Sequence, residues 1–157
     1  MKRTLPLIAA TALLLAPAAR AQTVNSAPLP EWRLDVTPFT GGQFGAGVSV
    51  PASSYSRLGA VVGAGAIADG PVTRATARLE VHGRFSADPF QERRYAPYVV
   101  AGAMVACADD RHCRPLIVIR AGIEGPVRSG FIPAVEVGLG DGVQLGIVLR
   151  HARPGRR

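Results

Sequence analysis

Lysine is almost missing from this chain. The only one is Lys2, so beyond residue 20 every basic side chain other than histidine is arginine. Arginine's rigid fork holds a carboxylate bidentately and suits partly buried ion pairs. Aromatic residues make up only 6%, which leaves too few for full aromatic belts at two membrane interfaces. Past the first twenty residues no apolar run approaches the roughly 18 residues that a membrane helix needs. No repeat of about 20 to 50 residues is present, which excludes a solenoid or propeller. The chain has just 2 cysteines, and no paired-cysteine metal motif, glycine-rich phosphate loop or nucleophile elbow appears.

What is present begins with a leader. Met1 to Ala21 has a basic start (Lys2, Arg3), an apolar run from Leu5 to Pro17 and the triplet Ala19-Arg20-Ala21. This is the pattern of a secretory signal peptide cleaved before Gln22. Removing it takes Lys2, Arg3 and Arg20 from the 18 basic residues, so 15 stand against 11 acids, a net +4 rather than +7. Residues 22–30, polar and proline-bearing, read as a flexible arm. Residues 31–151 read as one domain and residues 152–157 as a basic tail.

Within 31–151 the dominant signal is alternation. In Val143 to His151, Val143, Leu145, Ile147 and Leu149 share one parity, and Gln144, Gly146, Val148 and Arg150 share the other. Seven earlier stretches repeat the scheme: Glu31–Thr37, Phe44–Val50, Leu58–Ala66, Arg74–His82, Tyr98–Val105, Leu116–Glu124 and Phe131–Leu139. Arg74–His82 is the cleanest, with Ala75, Ala77, Leu79 and Val81 alternating with Arg74, Thr76, Arg78, Glu80 and His82. A helix would scatter those charges around its axis, whereas a strand gathers them on one side. Turn signals separate the stretches: Pro38 to Gly42, Pro51 to Ser56, Asp69-Gly70-Pro71, Gly125-Pro126 and Gly140-Asp141-Gly142.

One parity of the eight strands is apolar, without charge or glycine. The other collects glycines, arginines and carboxylates. If the apolar parity lined a soluble core, the second face would meet water, yet in strands two, three and five that face is nearly all glycine and apolar residues. Turned outward, the apolar parity meets lipid and the second face fills a narrow lumen. An eight-stranded barrel is just wide enough inside to be filled by side chains, and closure satisfies every backbone group in hydrocarbon. The fold class expected is therefore all-β: an eight-stranded antiparallel up-and-down transmembrane β-barrel, apolar outside and lined by Gly, Arg and Glu. Apolar-out, polar-in alternation over an even strand number is the outer-membrane pattern.

Leader, size, strand count and alternation resemble the small OmpA/OmpX-type outer-membrane barrels. Tyr95-Ala-Pro-Tyr-Val-Val-Ala-Gly102 looks like the "PYxGxG"-style strand common among them. Gln144, Gly146, Leu149 and His151 are similar to the C-terminal assembly signal of outer-membrane proteins, although His151 takes its last position and six residues follow. The resemblance implies an outer-membrane location in a Gram-negative cell, with membrane lipid and the barrel-assembly machinery as partners. It also implies a monomer.

Four groups of residues invite a chemical reading. Cys107 and Cys113 flank a polar hairpin tip, and in an exported protein two such cysteines most simply form a disulfide. A metal site that adds Asp109, Asp110 and His112 matches no standard zinc spacing. Arg74, Arg78, Glu80, Arg120, Glu124, Glu136 and Arg150 all fall on the lumen parity. They read as an ion-pair network filling the barrel, because unpaired charge there is costly. The competing reading is a narrow pore leaning towards anions, since arginines outnumber carboxylates in that set. His82 beside Glu80, with Ser86 beyond the strand end, is the nearest thing to an acid–base pair, and a lipid-modifying barrel enzyme would need it in reach of a nucleophile.

The expectation is a non-enzymatic outer-membrane barrel with a structural or surface-interaction role, without cofactor, metal or nucleic-acid partner. The alternative is a soluble periplasmic lipocalin-like barrel with a pocket lined by Leu79, Val81, Ile117 and Ile119.

Overall fold

The computed structural model describes residues 28–38, 40–89, 94–108 and 113–152. The leader, most of the N-terminal arm and the basic tail beyond Ala152 lie outside them. Eight strands follow one another: β1 (Leu29–Thr37), β2 (Gly41–Pro51), β3 (Ser56–Asp69), β4 (Val72–Ser86), β5 (Ala96–Ala108), β6 (Cys113–Glu124), β7 (Phe131–Gly140) and β8 (Gly142–His151). Each pairs antiparallel with the next, and β8 pairs back onto β1 from Glu31↔Arg150 to Val36↔Leu145, closing the barrel.

The chain enters and leaves at one end, called here the termini end, which also carries the connections 52–55, 87–95 and 125–130. The opposite, hairpin end carries 38–40, 70–71, 109–112 and the single residue Asp141. The two shortest of these turns, 70–71 and 141, need left-handed backbone at Gly70 (φ 62) and Gly142 (φ 94), a conformation that only glycine adopts without penalty.

The strands run longer than their cleanest alternation. Leu29 and Pro30 already pair with β2, so the arm ends two residues earlier than expected. Gly41, Gly42 and Asp69 are strand residues rather than turn residues. Ser86 belongs to β4 and is buried, correcting its placement beyond the strand end. Gly83 sits at an outward position between Val81 and Phe85, and this gap in the apolar series hid the last turn of β4. Ala152, expected in the tail, is buried, and its N–H donates to Gly130 O at 2.7 Å.

Side-chain direction follows the alternation in all eight strands. Trp32, Phe44, Leu79, Ile119, Val135 and Ile147 point out and are between 48% and 59% exposed, while Arg33, Glu80, Arg120, Glu136 and Arg150 are at most 4% exposed. Among the described strand residues no Asp, Glu, Lys or Arg points outward. This is a globular interior inverted. Hydrocarbon is the solvent in which such an exterior costs nothing, and a closed barrel leaves no strand edge to satisfy there. Leu79, Val81, Ile117 and Ile119 are 53% to 75% exposed, so they form part of the outer wall and cannot line an internal pocket.

Candidate functional site

The inside of the barrel is the site. Strands three and four contribute opposite things to it: β3 offers glycines, and β4 offers Arg78, Glu80, His82 and Arg84 on its inward parity. Space and charge are thereby matched side by side. A Cβ added at Gly59 would lie 2.5 Å from His82 Nε2, so the glycine is what lets the imidazole lie flat on the wall. Across the barrel, a Cβ at Gly122 would come within 2.5 Å of the Tyr98 ring. Both positions are close approaches of the kind that only glycine allows.

The charges connect in one network. Arg33 donates from Nε and Nη2 to the two oxygens of Asp35 at 2.8 and 2.9 Å, two residues along the same face of β1. Arg78 donates to the same carboxylate from β4. Arg33 also donates to Glu136 Oε2 at 2.9 Å and lies 3.9 Å from Glu80. Glu80 accepts from Arg120 and has His82 Nδ1 at 2.8 Å.

Glu136 is the busiest carboxylate. Besides Arg33, it accepts from the Tyr98 hydroxyl at 2.7 Å and from Arg150 at 3.1 Å, and Arg120 Nε is 3.3 Å away. Arg150 continues the chain to Glu31 (3.1 Å) and Glu124 (2.7 Å), with its guanidinium 5.0 Å from the Tyr98 ring centre. Arg84 donates to Glu124 from the other side.

Arg33, Arg78, Arg84, Arg120 and Arg150 therefore face Glu31, Asp35, Glu80, Glu124 and Glu136, five charges of each sign. Arg57 and Arg74, also on the inward parity, are half-buried towards the two ends. Of the residues singled out from sequence, Arg78, Glu80, Arg120, Glu124, Glu136 and Arg150 come together here. Arg74 is half-buried nearer the hairpin end, at a distance along β4 from the network. The sequence reading omitted Glu31, Arg33, Asp35, Arg84 and Tyr98. The first three lay in plain view on the inward parity of strand one, and Tyr98 on that of strand five. Arg84 was lost with the end of β4.

The remaining candidates sit apart from this centre. Cys107 and Cys113 face each other across β5 and β6 and are bonded, at the hairpin end. Asp109, Asp110 and His112 fall outside the described residues. Ser86 is inward on β4, four residues from His82, whose Nδ1 lies 2.8 Å from Glu80 Oε1 with both side chains buried in the lumen. Gln144 and Gly146 face inward and Leu149 and His151 outward, with His151 edge-on to Phe131 at 5.5 Å between ring centres.

This closed, inverted barrel has counterparts among solved structures. A structure described as "De novo design of transmembrane beta-barrels" superposes with a TM-score of 0.59 at 21% identity, over 80% of this chain and 94% of that one. The solution structure of the de novo designed TMB2.3 gives 0.53 at 20% identity, over 82% and 96%. The N-terminal β-barrel domain of Pseudomonas aeruginosa OprF gives 0.55 at 14% identity, over 80% and 97%. No protein-family profile and no curated protein matches the chain. The fold is that of a transmembrane barrel.

Two cavities flank the network. At the termini end a vestibule of about 250 Å³ is bordered by Arg57, Arg84, Ser86, Asp88, Glu124 and Ile132 among others. At the hairpin end the space beside Gln43, Thr76 and Ala106 is only about 20 Å³. Between them the lumen is filled, by the ion pairs and by Val61, Val100, Met104, Val118 and Val148, all at most 2% exposed. Arg84 and Glu124, which line the vestibule, belong to the network as well.

Proposed function

We propose that this protein is an integral outer-membrane barrel with a structural or surface-interaction role, its lumen sealed by the charge-balanced network and without catalytic chemistry of its own. The observation that carries the reading is the pairing of an uncharged, half-exposed apolar wall with an interior in which five arginines meet five carboxylates. A soluble ligand-binding barrel needs the reverse arrangement. A pore needs a continuous wet path, whereas these charges pair with one another across the lumen. A lipid-modifying enzyme needs its nucleophile and base at the membrane face, and His82 is committed to Glu80 inside.

The OprF domain supports the assignment to the outer membrane through fold, as do the leader and the C-terminal pattern Gln144, Gly146, Leu149 and His151. The chain should require the barrel-assembly machinery for insertion and remain a monomer. The test is fractionation followed by a denaturing gel of boiled and unboiled samples. The expected result is protein held in the membrane fraction, with a mobility that shifts on boiling. Freely soluble protein with one mobility would overturn the reading and turn the apolar wall into a buried surface of some larger assembly.

A further inference from the structure

With ten charges cancelling inside, the net +4 of the chain without its leader must reside at the ends. Topology divides it unequally. Among the described residues, the strand ends and connections at the termini end hold Arg57, Arg94 and Arg128 against Asp88. Those at the hairpin end hold Arg74 and Arg114 against Asp69 and Asp141. The termini end is net basic and the hairpin end neutral.

The basic end is also the aromatic one. Arg94 is exposed, with its guanidinium 5.8 Å from the centre of the outward Tyr95 ring. Arg128 is exposed and held in a tight turn by reciprocal backbone hydrogen bonds with Phe131, both 2.8 Å. Tyr55 and Phe85 stack nearby on the outer wall of β3 and β4, with ring centres 6.1 Å apart. Cations set beside amphipathic or apolar rings are the arrangement found at headgroup level. From the same rim an apolar trough of about 570 Å³ begins at Phe85, Ala87 and Pro97 and rises over Ala121 towards Leu145. It follows laterally paired residues, with Ala121 the low point between Val99 and Val137.

We propose that the termini end of the barrel selects anionic phospholipid, its headgroup held by Arg94 and Arg128 and an acyl chain lying in the trough over Ala121. An acidic protein or a nucleic acid would use the arginines but not the trough, and a zwitterionic lipid would use the trough but gain little from the arginines. The inference rests on the bilayer reading above and adds to it a lipid class and an end.

The test is the preference of the folded full chain, reconstituted in phosphatidylcholine vesicles, for spin-labelled phosphatidylglycerol over spin-labelled phosphatidylcholine. The readout is the motionally restricted fraction of each label. An arginine near an anionic surface is worth about fivefold in partitioning at low salt. Wild-type protein should show a preference of at least about fivefold that collapses in 1 M salt, where the screening length is roughly 3 Å. R94Q/R128Q should bring it near unity, R94K/R128K should retain it, and Arg114→Gln at the hairpin end should leave it unchanged. Equal restriction of both labels in wild type, or equal loss in the Arg114→Gln variant, would overturn the proposal. If neither label is restricted and the gel shift is also absent, the bilayer reading itself fails and takes this one with it.

Discussion

The charged middle of the lumen and its hairpin end are built from the same alternating strands yet held together differently. In the middle, Glu136 alone meets Arg33, Arg120, Arg150 and Tyr98. Towards the hairpin end the buried or half-buried inward positions below Arg74 include Gln43, Thr76, Met104, Val118 and Gln144, with a Gln43–Thr76 hydrogen bond at 3.2 Å. Buried polar atoms without a hydrogen-bond partner among the described residues occur in both regions: Gln43 Oε1 and Gln144 Oε1 here, Glu31 Oε1, Glu80 Oε2, Arg78 Nη1 and Arg120 Nη1 in the middle. The difference separates two ways of filling a narrow tube. Charge gives specificity, since each arginine fits only where its carboxylates are, but it leaves the interior intolerant of deletion. Neutral filling is forgiving. Desolvating an ion costs several kcal/mol, so the middle is stable only as a complete set.

Deleting a member of that set should have the largest effect. Glu136→Ala would strip one buried carboxylate from Arg33, Arg120 and Arg150 together, and removing one partner of a buried pair typically costs about 3–5 kcal/mol. The expected outcome is loss of the unboiled gel form at a markedly lower urea concentration, or failure to fold. Arg84→Gln should do less, because Glu124 keeps Arg150 at 2.7 Å.

Next in size is a change of space rather than of charge. Gly122→Ala places a methyl within 2.5 Å of the Tyr98 ring. It should destabilise by about 1–3 kcal/mol, the usual range for overpacking. Replacing Tyr98 by a smaller residue in the same chain would relieve the clash but leave Glu136 without its 2.7 Å donor, so a double-variant cycle in urea should show coupling between the two positions.

At the hairpin end the effects should shrink. Opening the Cys107–Cys113 bond, which spans a sequence separation of 6, should cost about 2 kcal/mol at most, because a short loop gains little from closure. Non-reducing and reducing urea titrations of the same preparation would measure it. Gln144→Met removes a buried amide whose oxygen is unpaired, and should change stability by less than about 1 kcal/mol. Arg114→Ala should be within about 0.5 kcal/mol of wild type, since its 3.4 Å pair with Asp141 is 67% exposed on the arginine side and such pairs contribute little. A Gln144→Met loss as large as that of Glu136→Ala would erase the contrast between the two regions.

The fold was legible in the sequence because one bit of information per strand, its parity, decides inside from outside. That bit survives boundary errors: β4 was read short by four residues at its end, yet Leu79, Val81, Arg78 and Glu80 still faced the right way. The network was legible only as a set of inward charges. Which charges meet depends on the stagger between strands, and stagger is fixed by pairings such as Glu31↔Arg150 and Gly122↔Glu136, which alternation does not encode. Strand one shows the loss most clearly. Arg33 and Asp35 stood on the inward parity, but nothing local marked them as the partners of Arg78 and Glu136, brought from β4 and β7. The longer connections, 87–95 and 125–130, share the end where β1 begins and β8 finishes, a grouping that follows from closure and not from alternation.

The central claim is that the charges seal the barrel rather than line a pore. Planar-bilayer recording tests it most directly, using protein whose unboiled form is first confirmed on a gel. The account predicts a silent membrane at moderate voltage, with no stepwise currents above those of a mock preparation. Steady, ion-selective unitary currents from the same heat-modifiable protein would contradict it, because the network would then have to line an open path.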